Sequence, residues 1–288
     1  MTALEPLEVA VEGGSLRALR WGSGAQVCVA LHGITANAAS WTAVGERLPQ
    51  DWSLVAVDMR GRGHSRELGA PYDAERLAAD AAAVVRATGA RVLAGHSLGA
   101  YVAVGVERDF PGLVERLVLL DGGLALPVPP DVDPDAALAA TLGPALDRLS
   151  HVFADEESYV DTFRAHPALG PYWTEAIEAY ARYDALPTDG GVRARAVLEA
   201  VRVSGRELLT RGAEIDAAVH GLTVPARLLC VERGLQDQPG GLLPVDVVEA
   251  AAAAQPMLEV STVPDTNHYT IAFAPHAVDA VVDAITRD

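Results

Sequence analysis

The stretch Arg91-Val-Leu-Ala-Gly-His-Ser-Leu-Gly-Ala100 begins as an apolar run, breaks at two glycines that flank Ser97, and continues as a helical pattern. It predicts a strand, a tight turn and a helix. Because the backbone of such a turn lies against its neighbours, the positions two residues either side of the serine need small residues, and Gly95 and Gly99 meet this demand. The turn would expose the Ser97 hydroxyl above the sheet and aim the Leu98 amide at a forming oxyanion. The motif therefore indicates acyl transfer, with Ser97 as the candidate nucleophile.

The composition predicts a globular protein with a large core. The chain has 288 residues, a hydrophobic content of 50% and a positive mean hydropathy. Its longest apolar runs are far shorter than the ~20 residues of a membrane helix, so no membrane partner is expected. The first twelve residues contain glutamates but no lysine or arginine, unlike a secretory signal. We therefore expect a cytoplasmic protein.

The charge balance argues against a nucleic-acid partner. All 22 basic residues are arginine, Asp and Glu number 39, and the net charge is −17, so the surface repels polyanions. Cys28 and Cys230 lie in separate apolar runs and are predicted to be buried and reduced. No pair of histidines or carboxylates has ligand spacing on one element, so we expect neither a metal nor another cofactor. Nothing in the pattern indicates an oligomeric state.

Outward from the Ser97 turn, the chain alternates between strand and helix patterns. Two alternating segments, Pro6 to Glu12 and Leu16 to Trp21, flank Gly13-Gly14 and predict an antiparallel hairpin. Continuous apolar runs then alternate with helical patterns, which is typical of a parallel sheet covered on both faces. These runs end at Leu31, Val57, Ala94, Leu120, Val231 and Val263.

The alternation stops after Gly123 and resumes near Gly221. The segment between contains helical patterns punctuated by proline, and it holds many of the aromatic residues of a chain that is only 5% aromatic. We predict a core formed by residues 1–123 and 222–288, with residues 124–221 inserted as a helical cap.

Five motifs, in their order along the chain, resemble those of the α/β-hydrolase fold family. In that family they are the oxyanion loop, an Asp-x-Arg-Gly-x-Gly-x-Ser turn, the nucleophile elbow, the acid turn and the histidine loop. Here they are His32-Gly33, Asp58 to Ser65, Gly95 to Gly99, Gly234 to Asp237 and Asn267-His268. The resemblance covers essentially the whole chain. It implies a mostly parallel, twisted, eight-stranded-type α/β-hydrolase sheet with helices on both faces and an inserted helical cap.

Ser97 needs a base, and His268 is the candidate among eight histidines. Its loop follows the last predicted strand and so emerges at the same edge of the sheet as Ser97. Two aspartates that follow apolar strands could orient the histidine ring. The resemblance favours Asp237, which occupies the usual position of the family, and Asp121 is the alternative.

The oxyanion donors are predicted to be the backbone amides of Ile34 and Leu98, which is compatible with apolar side chains at both positions. Six aromatic residues are candidates for contact with the acyl group, although each could equally belong to the core. They are Trp41, Tyr101, Tyr159, Phe163, Trp173 and Tyr269.

These observations predict a hydrolase that cleaves small carboxylic esters or lactones through an acyl-enzyme on Ser97. The alternatives are a thioesterase or cyclase acting on acyl thioesters, and a ligand-binding receptor of the same fold with negligible turnover. Serine at position 97 argues against the dehalogenases and epoxide hydrolases of the family, which use aspartate there. Tyr269, where the carbon-carbon hydrolases have tryptophan, argues against that branch, and Leu98 argues against the peptidases.

Overall fold

The computed structural model describes residues 5–129 and 131–287. Within these ranges the strands are β1 (Glu5–Val11), β2 (Gly14–Trp21), β3 (Gln26–Leu31), β4 (Trp52–Val57), β5 (Val92–His96), β6 (Arg116–Leu120), β7 (Ala185–Thr188), β8 (Gly191–Ala194), β9 (Ala226–Arg233) and β10 (Leu258–Asn267). The α-helices are α1 (Thr42–Arg47), α2 (Ala74–Thr88), α3 (Leu98–Asp109), α4 (Pro134–Ser150), α5 (Glu156–Arg164), α6 (Glu175–Asp184), α7 (Leu198–Thr210), α8 (Gly212–His220), α9 (Val245–Ala254) and α10 (Pro275–Thr286).

Eight strands form one sheet in the order β1-β2-β4-β3-β5-β6-β9-β10. The first two pairings of this order are antiparallel and the others are parallel. The predicted hairpin around Gly13-Gly14 is confirmed, since β1 pairs with β2 from Glu5–Arg20 to Val11–Gly14. The carboxyl ends of the parallel strands lie at one edge, which is where ligands bind in such sheets.

Helices cover both faces of the sheet, which explains the continuous apolar runs. Val27, Val29 and Leu31 of β3 pack into the core that includes α2 and α3. Cys28 and Ala30, on the opposite face of the strand, pack with α1 and α10. The predicted mostly parallel α/β fold is therefore confirmed. Both cysteines are free and buried, and burial raises the pKa of each thiol to about 12.

Helices α4 to α8 lie between β6 and β9. This segment also contains an unexpected hairpin, β7 and β8, whose turn uses positive φ values at Gly190 and Gly191. The hairpin is too short to show a strand pattern in the sequence. The last helix of the segment, α8, packs against α3 and α9 of the sheet-covering layer. No helix in the described part of the chain is long and apolar enough to cross a membrane.

Candidate active site

Ser97 lies at a strained turn between β5 and α3. Its φ of 52° and ψ of −120° are costly for a residue with a side chain, and such strain is typical of functional positions. A Cβ atom on Gly95 would lie 2.2 Å from the Gly99 carbonyl oxygen, and one on Gly99 would lie 2.2 Å from the Leu31 oxygen. Both positions therefore require glycine, as the sequence pattern predicts. Gly122 is a third such position, because its Cβ would lie 2.6 Å from the Ser97 oxygen.

His268 follows β10 and faces Asp121 at the end of β6. The Nδ1 atom of His268 lies 2.7 Å from Oδ2 of Asp121, and both side chains are buried. The Leu242 amide donates a longer hydrogen bond of 3.4 Å to the same oxygen. The other carboxylate oxygen, Oδ1, has no hydrogen-bond partner among the described residues. The His268 ring is thus held by the aspartate that the sequence offers as the alternative.

Asp237, the aspartate preferred from the sequence, is bound elsewhere. Its Oδ1 accepts hydrogen bonds of 2.8 Å from Nε of Arg233 and Nδ2 of Asn267, and its Oδ2 accepts one of 3.0 Å from the Tyr172 hydroxyl. Burial alone would raise the pKa of Asp237, but these hydrogen bonds lower it below its ordinary value. The preference for Asp237 over Asp121 does not match the contacts of His268. Both aspartates follow strands that end at the same sheet edge, and only tertiary placement distinguishes them.

His96, next to the serine, holds the backbone of the histidine loop. Its Nε2 donates a hydrogen bond of 2.7 Å to the His268 carbonyl oxygen, and the two rings lie 4.8 Å apart. Burial, together with a smaller effect of the neighbouring His268, lowers the pKa of His96 to about 3. His96 is therefore neutral at pH 7, which suits a role in positioning the loop.

His32 fixes the orientation of the peptide between Gly33 and Ile34. Its Nε2 accepts a hydrogen bond of 3.1 Å from the Met59 amide, so the ring proton is on Nδ1, which donates to the Gly33 carbonyl oxygen at 2.7 Å. The Ala36 amide donates to the same oxygen at 3.1 Å. Because this peptide is trans, the Ile34 N–H points away from these groups. Burial lowers the pKa of His32 to about 3, so this neutral form persists.

Arg62 holds the other end of the same loop. Its Nε donates to the Ile34 carbonyl oxygen at 3.2 Å, and its Nη2 donates to the Ala200 oxygen and the Ser204 hydroxyl of α7, each at 3.0 Å. A fourth hydrogen bond reaches the Arg60 oxygen. The side chain is completely buried, and burial lowers its pKa to about 10. Arg62 therefore connects the inserted helix α7 to the loop beside Ser97.

Asp58 organises the turn that carries Arg62. Its carboxylate accepts hydrogen bonds from the amides of Ala38 and His64, at 2.8 and 2.9 Å, and from the Tyr183 hydroxyl at 2.7 Å. Burial raises its pKa to about 6, although these hydrogen bonds oppose the rise. Only glycine fits at position 63, because a Cβ there would lie 2.1 Å from the Asp58 carboxylate. The motif thus has a structural role in supporting the loop at Ile34.

A cavity of about 260 Å³ opens at this edge of the sheet, and Ser97, His268 and Ile34 line it. Its other described lining residues come from the loops of the sheet edge and from α3, α4, α6 and α7. They are Gly33, Thr35, Ala36, Ser40, His96, Tyr101, Leu126, Leu138, Thr141, Leu142, Tyr180, Gly205, Leu208, Leu209, Leu235, Leu242, Tyr269, Ala272 and Phe273. The structure therefore brings the candidate nucleophile, the candidate base and one predicted amide donor to one cavity. Leu98 begins α3, where the amides of the first turn lack intrahelical acceptors.

Of the six aromatic candidates, Tyr101 and Tyr269 line this cavity. The other four lie outside the described lining. Trp41 packs in the core beneath the sheet edge, and Tyr159 is bound to Arg148 and Asp184. Phe163 lines a separate cavity, and Trp173 packs under Arg164. The rings of Tyr159 and Phe163 pack edge to face with each other and with Phe153 and Tyr180, so these two aromatic residues are buried among the inserted helices.

The leucines that line the cavity were not among the residues predicted from the sequence to contact the substrate. Leu138 and Leu142 recur at helical spacing on α4, and Leu208 and Leu209 are adjacent on α7. Their spacing was an available signal, but leucines at such spacing more often form an ordinary core. Among residues 5–129 and 131–287, no group of three or more histidine, cysteine or acidic side chains could hold a metal ion.

The fold agrees with comparisons to known proteins. The sequence model of a protein family, described as the Alpha/beta hydrolase family, matches residues 28–284. The chain belongs to the alpha/beta hydrolase family. Among its relatives in this family is the 2-(acetamidomethylene)succinate hydrolase of Mesorhizobium japonicum, which is 28% identical over 89% of this chain and 85% of the relative. Esterase Rv0045c of Mycobacterium tuberculosis is 39% identical over 38% of each chain.

The same family membership is visible in solved structures. A crystal structure of E-2-(acetamidomethylene)succinate hydrolase superimposes with a TM-score of 0.77 at 25% identity, covering 98% of this chain and 99% of the other. These relatives are hydrolases by name, and family membership supports a hydrolase activity for this chain.

Proposed function

We propose that this alpha/beta hydrolase is a serine hydrolase that cleaves carboxylic esters or lactones through an acyl-enzyme on Ser97. The contact between His268 and Asp121, at the cavity that Ser97 also lines, is the observation that carries the proposal. A buried carboxylate on Nδ1 holds the imidazole in the tautomer whose Nε2 can accept a proton. The serine hydroxyl is a weak nucleophile until such a base removes its proton.

In the proposed mechanism, Nε2 of His268 takes the Ser97 proton while Oγ attacks the carbonyl carbon of the ester. Asp121 stabilises the imidazolium that forms. Collapse of the tetrahedral intermediate breaks the bond to the leaving oxygen, which receives its proton from His268. Water then attacks the acyl-enzyme by the same route, with His268 again as base, and releases the carboxylic acid.

The amides of Ile34 and Leu98 are the proposed donors to the oxyanion of the intermediate. Two features support Ile34: His32 holds the preceding carbonyl away, and the Gly33 position is near Ser97, since a Cβ there would lie 3.5 Å from the Ser97 Cβ. Leu98 has the position of a helix N-terminus, where free amides favour negative charge. Preorganised donors of this kind contribute a large part of catalysis in acyl transfer.

The proposal takes only the hydrolase chemistry from the relatives. The Mesorhizobium protein is named for a succinate derivative and the mycobacterial protein for esterase activity. We propose esters for this chain because Ser97 and His268 line one cavity and the His268 ring contacts Asp121, an arrangement that suits acyl transfer to water.

The test combines turnover with covalent labelling. We expect the protein to hydrolyse p-nitrophenyl butyrate and to gain the mass of a fluorophosphonate on the peptide that contains Ser97. The variant Ser97→Ala should lose both, whereas Ser261→Ala, on the exposed side of β10, should keep both. A folded protein with neither turnover nor label contradicts the proposal. A kcat/KM for butyryl-coenzyme A above that for ethyl butyrate would replace the ester by a thioester, and ligand binding without turnover would favour a receptor.

A further inference from the structure

The inserted helices and the neighbouring loops give the cavity an apolar wall. Helix α4 contributes Leu138 and Leu142, α7 contributes Leu208 and Leu209, and the loops after β6 and β9 contribute Leu126 and Leu242. Apolar surface of this kind gains free energy when it covers an apolar ligand, and it offers nothing to a charged one.

In the described part of the chain, no residue of permanent charge lines the cavity. Among its described lining residues there is no arginine, aspartate or glutamate, and the chain contains no lysine. His96 lines the cavity, but burial lowers its pKa to about 3, so it is neutral at pH 7. Behind His268 lies the Asp121 carboxylate, which repels an anion. The cavity therefore has no group that could neutralise a carboxylate of the substrate.

Two arginines of this region, Arg62 and Arg148, already bind other groups of the protein. Arg62 gives four hydrogen bonds to backbone oxygens and to Ser204. Arg148 faces a second cavity, and its Nη1 is 2.9 Å from Oδ2 of Asp184, to which it is ion-paired. Freeing either guanidinium would leave its buried partners unsatisfied.

We infer that the cavity takes a neutral, apolar acyl group and rejects acyl groups that carry a second carboxylate. This inference rests on the proposed ester hydrolysis at Ser97 and specifies its substrate class. A carboxylate moved from water into a mainly apolar site whose described lining has no permanent cation loses much of its solvation, and this loss should lower kcat/KM by at least about 10²-fold. Each methylene buried against the leucines should raise kcat/KM by about fourfold.

A matched pair of esters tests the inference on the native enzyme. Ethyl 4-methylpentanoate and monoethyl succinate have the same leaving group and nearly the same shape, since an isopropyl group replaces the carboxylate. We expect kcat/KM for the neutral ester to be at least about 10²-fold higher, measured by chromatography of the released acid. A ratio within tenfold, or a preference for monoethyl succinate, overturns the inference.

A pair of variants tests whether the cavity wall determines the preference between the two esters. Leu208→Arg places a cation in the wall, and Thr210→Arg adds the same charge at an exposed position of the same helix. We expect Leu208→Arg to shift the preference toward monoethyl succinate by at least about tenfold and Thr210→Arg to leave the preference as in the native enzyme. Equal shifts in both variants would contradict a cavity effect. If Leu208→Arg does not fold, the ester pair on the native enzyme decides.

Failure of the inference and failure of the proposed function have different signatures. If Ser97 reacts with the fluorophosphonate but the enzyme prefers monoethyl succinate, ester hydrolysis stands and the neutral substrate class is wrong. If Ser97 does not react and neither ester is turned over by folded protein, the proposed function itself is wrong.

Discussion

Asp121 and Asp237 follow neighbouring strands of the sheet, at the same edge, and both have a positive φ, 41° and 60°. Their surroundings differ. Asp121 is completely buried, with one oxygen on His268 and the other without a hydrogen-bond partner in the described part of the chain. The Asp237 side chain is 24% exposed and both of its oxygens accept hydrogen bonds, including one from Arg233. The less satisfied carboxylate is the one that gains most from an imidazolium beside it.

The two aspartates also hold different parts of the histidine loop. Asp121 contacts the ring of His268, whereas Asp237 accepts a hydrogen bond from Asn267, the preceding residue. The Arg233 carbonyl oxygen accepts a hydrogen bond of 3.0 Å from the His268 amide. Asp121 therefore holds the ring of His268, whereas Asp237 and Arg233 help to hold the backbone of the same loop. Substitutions at Asp121, at Asp237 and at their neighbours test this difference.

The largest expected effect is that of Asp121→Asn. An asparagine amide would donate to Nδ1 and select the wrong tautomer of His268, so kcat should fall about 10⁴-fold. Asp237→Asn should lower kcat by less than about tenfold. Both are measured with ethyl 4-methylpentanoate, after circular dichroism has shown that each variant is folded. The reverse order of effects would return the acid role to Asp237.

The second test addresses the loop at Ile34, whose amide is the proposed oxyanion donor. Ile34→Pro removes the proposed amide donor, and kcat should fall about 10²- to 10³-fold. Ile34→Ala keeps the amide and should cost less, because only side-chain contacts are lost. A folded Ile34→Pro enzyme with unaltered turnover would remove Ile34 from the site.

The third test uses the pH dependence of stability. Because burial lowers the pKa of His96 to about 3, only the unfolded chain takes up this proton near pH 6. The contribution of neutral, buried His96 to the free energy of unfolding is complete above pH 6.5 and is lost as the pH falls toward 3. Between pH 7.5 and 5.5 this loss is about 1.4 kcal/mol. His32 acts in the same direction, and Asp58, with its pKa raised to about 6, opposes both below that pH.

His96→Gln should remove that part of the pH dependence, whereas Asp237→Asn should retain it. Urea unfolding at pH 7.5 and 5.5 measures the difference. If the pH dependence of stability were unchanged in His96→Gln, the lowered pKa of His96 would not be its source.

The smallest effect is expected for the stability of Asp237→Asn at pH 7.5. Its ion pair with Arg233 is partly exposed, with a distance of 2.8 Å, and such pairs contribute about 1 kcal/mol or less. The loss should shrink further in 1 M salt because the charges are screened. If the free energy of unfolding instead fell by several kcal/mol and this loss were insensitive to salt, Asp237 and Arg233 would be as buried as Asp121.

The sheet could be predicted because the residues that determine each strand and turn lie close together along the chain. The apolar runs of β3 to β6 are bounded by turn residues, and the glycines around Ser97 are demanded by contacts within the turn itself. The same reasoning brought Ser97 and His268 to one edge. It could not choose between Asp121 and Asp237, because both satisfy every local criterion and differ only in what packs around them.

The inserted segment was predicted less well for a related reason. Its helices were expected, but the hairpin of β7 and β8 is set by pairing with Phe153 as well as by its glycine turn. Four of the six aromatic residues expected to contact the acyl group lie outside the described lining of the cavity, and leucines of α4 and α7 contribute to its wall. Which face of a helix meets a cavity depends on packing between distant segments.

The position of Arg62 has a consequence for how the molecule opens. Its guanidinium donates hydrogen bonds to the Ile34 carbonyl and to two groups of α7, so separating the helix from the loop would remove at least one acceptor from a buried charge. We therefore expect the loop beside Ser97 and α7 to unfold together, with their amides exchanging with solvent as one cooperative unit.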